Sequence, residues 1–188
     1  MVIRFTKKTH KPFSNFYEHF VTVRRITYRN AEAAFQHGKL LDKNSHPEFA
    51  DLSPGQAKRL GRNILLRDDW EEIKFDWMVE VLMCKFSQDE YARELLLSTG
   101  YAWLVEDTTS WHDNIWGSCS CERCRNKLSK NMLGQALMIV RARLRGDNGV
   151  PIKITKMNLE FDLLGEDVEE EKKDGTWNST LNMLNRFG

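Results

Sequence analysis

No apolar run in this 188-residue sequence approaches the roughly 20 residues that a bilayer-spanning helix needs, which excludes a helical membrane protein. Charge of one sign is missing as well: 28 Lys and Arg stand against 27 Asp and Glu, a formal net charge of +1. That excludes bulk electrostatic wrapping of nucleic acid and leaves room for a local basic site. Cysteine is scarce, four in all with three close together, so the chain has no disulfide framework. No internal repeat is present, and the start, Met-Val-Ile-Arg-Phe, has no signal-peptide pattern. The cytoplasm is the expected location.

Hydrophobic content of 41% and charged content of 29% belong to an ordinary soluble globular protein. The length suits one domain with a real core plus a tail. The character changes at Gly146, so the expected division is a domain over 1–146 and an extension over 147–188. Within that extension 151–155 suits a strand, 166–173 is a charge run, and Leu181, Met183, Leu184 and Phe187 suit docking on the body.

In the body, Val2 to Phe5 reads as a strand and Phe20 to Tyr28, with its β-branched residues, as a hairpin or a bent strand. Tyr28 to Leu41 is the stretch around which the rest is organised. Asn30 is suited to cap a helix, and Ala31 to Gln36 contains no breaker. On that helix Glu32, Gln36 and Lys39 fall almost in line, walled by Ala31 and Phe35 on one side and Ala33 and Leu40 on the other. A polar line between apolar walls suits a pocket; an exposed row of Glu, Gln and Lys is the equal alternative on geometry alone. Ser53-Pro54-Gly55-Gln56 is a helix-start signature. Asp69 to Phe86 is expected to be a helix capped by Asp69 with Glu72 as its reciprocal partner. Its apolar face is Trp70, Ile73, Trp77, Val81 and Cys84, with Met78 and Leu82 alongside. Ser87-Gln88-Asp89-Glu90 repeats the capping signature before a helix that stops near Gly100. Trp103 to Val105 reads as a short strand and 131–145 as a last helix. Between them, Thr108 to Lys130 is a long irregular stretch of the kind that carries function.

Several of these pieces together resemble the YbiA/NADAR family (NAD- and ADP-ribose-associated domain). They are Phe13-Ser14-Asn15-Phe16, Glu32 with Phe35-Gln36 and Lys39, Gly61-Arg62-Asn63, and Leu66-Arg67 before Trp70-Glu71 and Lys74. The order continues with Lys85-Phe86, Leu104-Val105-Glu106, Asp113 with Trp116-Gly117, Asn131 with Leu133-Gly134, and Leu137-Met138 with Arg141. The resemblance covers about the first 146 residues. It implies an α+β, predominantly helical single domain with a small N-terminal β hairpin or sheet. It also implies hydrolysis of an N-glycosidic bond at the C1′ of a ribose, with no redox cofactor. The substrate is then a phosphoribosylamino-pyrimidine intermediate of riboflavin synthesis or ADP-ribosylated guanine in nucleic acid. Ala33-Ala34 and the cysteines after Gly117 depart from the family pattern.

Such chemistry builds positive charge on the sugar and negative charge on the leaving nitrogen. Glu32 is the candidate carboxylate, and its place in the first helical turn favours an anionic, cation-stabilising role over an acid role. Lys39 is a candidate proton donor or, with a depressed pKa, a nucleophile forming a transient iminium. Arg62 and Arg67 are candidate phosphate anchors. Trp111 and Trp116 suit stacking on a base, whereas Trp70, Trp77 and Trp103 suit core packing. Asp113 suits a ribose hydroxyl or a water, and Asn15 with Phe16, Gln36 and Asn131 complete the candidate substrate contacts.

Cys119, Cys121 and Cys124, with His112 upstream, have the residue types of a Cys₃His zinc site. The C-x-C-x-x-C spacing lacks a second ligand pair, so no metal is assigned and reduced thiols are the expected state. A metal there would brace the loop and do no chemistry. The competing function is a non-catalytic ADP-ribose or NAD-binding module, or a cysteine-braced interaction domain. The presence of both Glu32 and Lys39 favours an enzyme.

Overall fold

The computed structural model describes residues 1–6, 8–42 and 44–147. The strand expected at 151–155, the charge run at 166–173 and the docking residues Leu181, Met183, Leu184 and Phe187 lie outside them.

The first strand, β1 (Val2–Phe5), is followed by a 3-10 turn at Lys11–Phe13 that buries Phe13 edge-on against Phe5. Strands β2 (Val21–Val23) and β3 (Ile26–Tyr28) form a hairpin, the first of the two expected forms. Its two turn residues, Arg24 and Arg25, both have positive φ, 47° and 72°. A two-residue hairpin needs that backbone to match the twist of its strands, although Asn-Gly is the usual filling. Arg24 is held there by Glu80, with its Nε 2.6 Å from Oε1.

Helix α1 (Ala31–His37) is capped as expected: Asn30 Oδ1 accepts from the Ala33 amide at 2.8 Å. It ends sooner than the spacing suggests. Gly38 closes it, because the Trp77 indole donates to the carbonyls of Ala34 and Phe35 where another turn would begin. Lys39 therefore follows the helix instead of riding on its last turn. Helix α2 (Pro54–Leu60) starts on the capping box of Ser53 and Gln56.

Helix α3 (Trp70–Gln88) runs on through the expected break at Ser87. Asp89, not Ser87, caps the next helix, α4 (Glu90–Ser98), accepting from the Ala92 amide. Gln88 uses its side-chain amide on both backbone groups of Thr22, at 2.8 Å each, and so closes the edge of β2. At the other end, Asp69 makes no side-chain cap; its carboxylate is taken by Arg67. The buried face of α3 is Trp77, Met78, Val81, Leu82 and Phe86, while Ile73 and Cys84 sit at its margin. Each fully buried Val, Leu or Phe there contributes about 1.5–3 kcal/mol.

Lys85 is buried on this apolar face. Its Nζ donates to the Ser14 carbonyl at 2.8 Å and sits near the Tyr17 and Phe86 rings. Desolvation pushes its pKa down to about 7, against the pull of Asp89. A lysine is tolerated here because the Ser14 carbonyl satisfies its head while the methylene stem packs.

Strand β4 (Trp103–Glu106) pairs parallel with β1, Val2 opposite Trp103 and Phe5 opposite Glu106. A parallel pair needs a crossover, and here everything from the hairpin to α4 forms it. Helix α5 (Met132–Arg145) packs on α3, α4 and β4 and ends at Gly146, whose φ of 76° suits glycine. The described residues are thus α+β and predominantly helical, with two small two-stranded sheets among them. No described helix is long and apolar enough to cross a membrane.

Candidate active site

The seven residues of α1 are all buried, so its polar line faces a cleft and not open solvent. The cleft has a volume of about 640 Å³ and is lined by Glu32, Gln36 and Lys39 together. Glu32 is 6% exposed, and its Oε1 accepts from Gln36 Nε2 at 2.8 Å. Burial pushes the Glu32 carboxyl up from its ordinary value; the Gln36 hydrogen bond and the cations Lys58, Lys39 and Arg62 oppose that. The pull of the helix terminus toward the ionised form is thus opposed by the loss of hydration on burial.

Lys39 is half-buried and donates from Nζ to the Gly61 carbonyl at 2.7 Å. Desolvation is the main influence and lowers its pKa; Glu32 pulls it up, while Arg62 and Lys58 push it further down. The segment carrying Lys39 is fixed from behind, since its carbonyl accepts from the Arg67 amide at 2.9 Å.

One wall is aromatic. Phe35 packs against Trp70 at 5.3 Å and edge-on against Trp116 at 5.1 Å between ring centroids. Trp70 thus lines the cleft as well as packing, and Trp111 stands 44% exposed beside it. Phe16 supports Lys58, whose Nζ lies 5.5 Å from the ring centroid. The Asn15 loop is docked on α1 through the Glu32 amide, and Asn15 Nδ2 reaches Met78 Sδ. Two buried acceptors, Asn15 Oδ1 and Gln36 Oε1, have no hydrogen-bond partner among the described residues. A buried unpaired acceptor is costly, and in a cleft it is a place for a ligand hydroxyl.

The far side comes from the end of β4 and the loop after it. Ser118 donates to the Glu106 carbonyl and Asp113 Oδ1 accepts from the amides of Ile115 and Trp116. Gly117 is required by this fit: a Cβ there would stand 2.1 Å from Thr108 Cγ2 and 2.8 Å from the Glu106 carbonyl. The loop so folded brings Glu106, Asp113 and Trp116 into the cleft. Desolvation pushes Glu106 up to about 7, with Asp113 and Glu32 adding to the shift and Lys58 opposing it.

Of the residues singled out in the sequence, Asn15, Phe16, Glu32, Gln36, Lys39, Arg62, Trp111, Asp113 and Trp116 line the cleft. Arg67 and Asn131 do not. Arg67 is tied to Asp69 by two hydrogen bonds, so the guanidinium expected to anchor phosphate is already paired with a carboxylate. Asn131 bridges the strand end, accepting from the Glu106 amide at 3.0 Å and donating to the Leu104 carbonyl at 2.8 Å. The charged cleft residues given no site role in the sequence are Lys58, Glu71, Lys74 and Glu106. Glu106 lay within a matched motif at a strand end, a signal that could have found it; Lys58 had none.

The NADAR domain family profile matches residues 4–145. The chain belongs to the NADAR domain family. Among NADAR relatives, N-glycosidase YbiA of Shigella flexneri serotype 5b is 37% identical over 142 residues, covering 74% of this chain and 84% of that protein. An N-glycosidase of Nostoc punctiforme is 33% identical over 139 residues, 71% of this chain and 85% of that one. The chloroplastic riboflavin biosynthesis protein PYRR of Arabidopsis thaliana matches at 36% over 109 residues, 17% of its length. The solution NMR structure of Escherichia coli YbiA superposes with a TM-score of 0.67 at 35% identity, over 78% of this chain and 86% of that one.

Proposed function

We propose that this NADAR cleft hydrolyses the bond between the C1′ of a phosphorylated ribose and the amino nitrogen of a pyrimidine, with Glu32 and Lys39 as the reacting pair. The chain is an N-glycosidase, a hydrolase of N-glycosyl bonds, as its relatives of similar length are named. The observation that carries the mechanism is that one cleft shifts a carboxyl and an amine in opposite directions. Burial moves Glu32 up and Lys39 down, both toward their neutral forms. A neutral amine is a nucleophile and a neutral carboxyl is a proton donor.

Lys39 Nζ attacks C1′, the C1′–N bond breaks, and its electron pair leaves with the pyrimidine nitrogen, which takes the Glu32 proton. Glu32 then accepts a proton from the Lys39 adduct. The lysine nitrogen's lone pair opens the ribose ring to an iminium, and O4′ takes that proton back. Water adds to C1′ with loss of a proton to Glu32, and collapse of the adduct returns a free amine and a free sugar phosphate. One water is consumed and no redox equivalent is needed.

Arg62 and Lys58 supply the phosphate site, and Asn15 Oδ1 and Asp113 take ribose hydroxyls. Trp111 stacks on the base. A small phosphorylated substrate is favoured over nucleic acid by the near-zero net charge, and relatives named for riboflavin biosynthesis point the same way.

The test offers purified protein the ribosylamino-pyrimidine phosphate and, in parallel, a guanine-ADP-ribosylated oligonucleotide, with products read by chromatography and mass detection. Ribose 5-phosphate released by wild type, and lost in Lys39→Ala and Glu32→Ala, is the expected result. Release of ADP-ribose alone would replace the substrate. Silence on both, from folded protein that binds ADP-ribose, would replace the enzyme by a binding module.

A further inference from the structure

The loop after Trp111 holds a second cluster, separate from the cleft chemistry. One nitrogen of His112 and the sulfurs of Cys119, Cys121 and Cys124 all lie within 4.8 Å of one another. Cys119 and Cys121 Sγ are 3.3 Å apart, and His112 Nδ1 is 3.4, 3.3 and 3.9 Å from the three sulfurs in chain order. A tetrahedral zinc ion with Zn–S near 2.3 Å and Zn–N near 2.0–2.1 Å sets ligand atoms about 3.6–3.8 Å apart. The observed separations bracket that figure.

We propose that His112, Cys119, Cys121 and Cys124 form a closed structural zinc site. The spacing alone lacked a second ligand pair; the fold supplies the fourth ligand from seven residues before Cys119. His112 adopts a left-handed backbone, φ 60°, and its amide donates to the Thr108 carbonyl at 2.8 Å. A non-glycine residue rarely holds that conformation, and here it turns the imidazole toward the thiols. The Cys121–Cys124 turn is closed by its own amide-to-carbonyl hydrogen bond at 2.9 Å, and the Cys119 amide is anchored to Asn114 Oδ1 at 2.9 Å. A disulfide would use two sulfurs and leave the third and the imidazole without purpose; a borderline-soft cation uses all four.

Binding takes place through thiolates, so the thiol protons leave as the ion enters. Four protein ligands leave no open position, and the ion does no chemistry. It ties 112 to 119–124 and so braces the segment that presents Trp111, Asp113 and Trp116 to the cleft.

The full chain is purified without chelator, and zinc is counted per chain by mass spectrometry of the metal. Stripped, reduced protein is then titrated with cobalt(II). The expected results are one zinc per chain and the visible spectrum of tetrahedral cobalt with thiolate charge transfer. Both are lost in Cys121→Ser and Cys124→Ser and retained in the control Cys84→Ser. Reduced, folded wild type that gives no tetrahedral cobalt spectrum would overturn the site. So would zinc content unchanged in both loop variants. The readout is metal and spectrum, independent of glycosidase activity, so failure of the proposed reaction leaves this result standing.

Discussion

A methyl group on Gly61 would lie 2.1 Å from Oε1 of Gln36. Gln36 in turn holds Glu32 through a 2.8 Å hydrogen bond, and the Gly61 carbonyl holds Lys39. The glycine that ends α2 therefore sits where both reacting groups are positioned. Its φ of −64° is open to any residue, so only the close approach requires glycine.

Gly61→Ala is expected to lower kcat/KM by about 10- to 100-fold, the effect of misplacing a reacting group. It is expected to lower stability by only about 1–2 kcal/mol, because Gln36 can shift its amide. Steady-state kinetics beside urea unfolding checks the split. Unchanged kinetics would remove Gln36 from its orienting role.

Gly38→Ala should behave differently. A Cβ there would stand 1.9 Å from Trp77 Nε1, and the ring is buried with its indole committed to the end of α1. Overpacking of this kind costs about 1–3 kcal/mol, and each kcal/mol lowers Tm by roughly 2–4 °C in a chain this long. Calorimetry should show a fall of that order.

Glu106 supplies a pH prediction. Its folded pKa is about 7 against an ordinary 4.5. Between those values the folded chain keeps a proton the unfolded chain has lost, so stability falls as pH rises from 4.5 to 7. The loss is at most about 3 kcal/mol, and less to the extent that water reaches the carboxyl. Glu106→Gln should match wild type at pH 4 and exceed it at pH 8 in urea unfolding. An equal offset at both pH values would contradict the assignment.

Lys85 has the opposite slope in a different window. With a folded pKa of about 7 and an ordinary 10.5, it is the unfolded chain that keeps the proton in between. Stability from this residue therefore rises as pH climbs from 7 to 10.5, by on the order of 3–5 kcal/mol. Lys85→Met should lack that rise. Its difference from wild type should thus move in wild type's favour between pH 7 and 10. A pH-independent difference would place the ammonium in water.

What was legible in the sequence was local. Asn30 and the Ser53–Gln56 pair set helix starts through bonds spanning three residues, and Gly146 sets a stop through its own φ. Glu32 and Gln36 were legible as neighbours because helical spacing one turn apart fixes them, but that spacing alone did not choose a pocket over an exposed row. What sequence missed depended on distant partners. Asp69 had the pattern of a cap, but its carboxylate accepts from the Arg67 guanidinium instead. Lys39 lies beyond the helix because Trp77, from another helix, caps the turn before it. Glu106 and Lys58 enter the cleft only once β4 has paired with β1 and α2 has packed on α1. The burial of Glu32, which pushes its pKa up, is likewise a property of the packed molecule.

The central claim is the neutral amine of Lys39 attacking C1′. Wild type would be mixed with the ribosylamino-pyrimidine phosphate in the presence of borohydride, and the chain's mass and peptides read out. The account predicts a reduced sugar-phosphate adduct on Lys39, absent from Lys39→Ala and without added substrate. Turnover of that substrate with no adduct on Lys39 would contradict it.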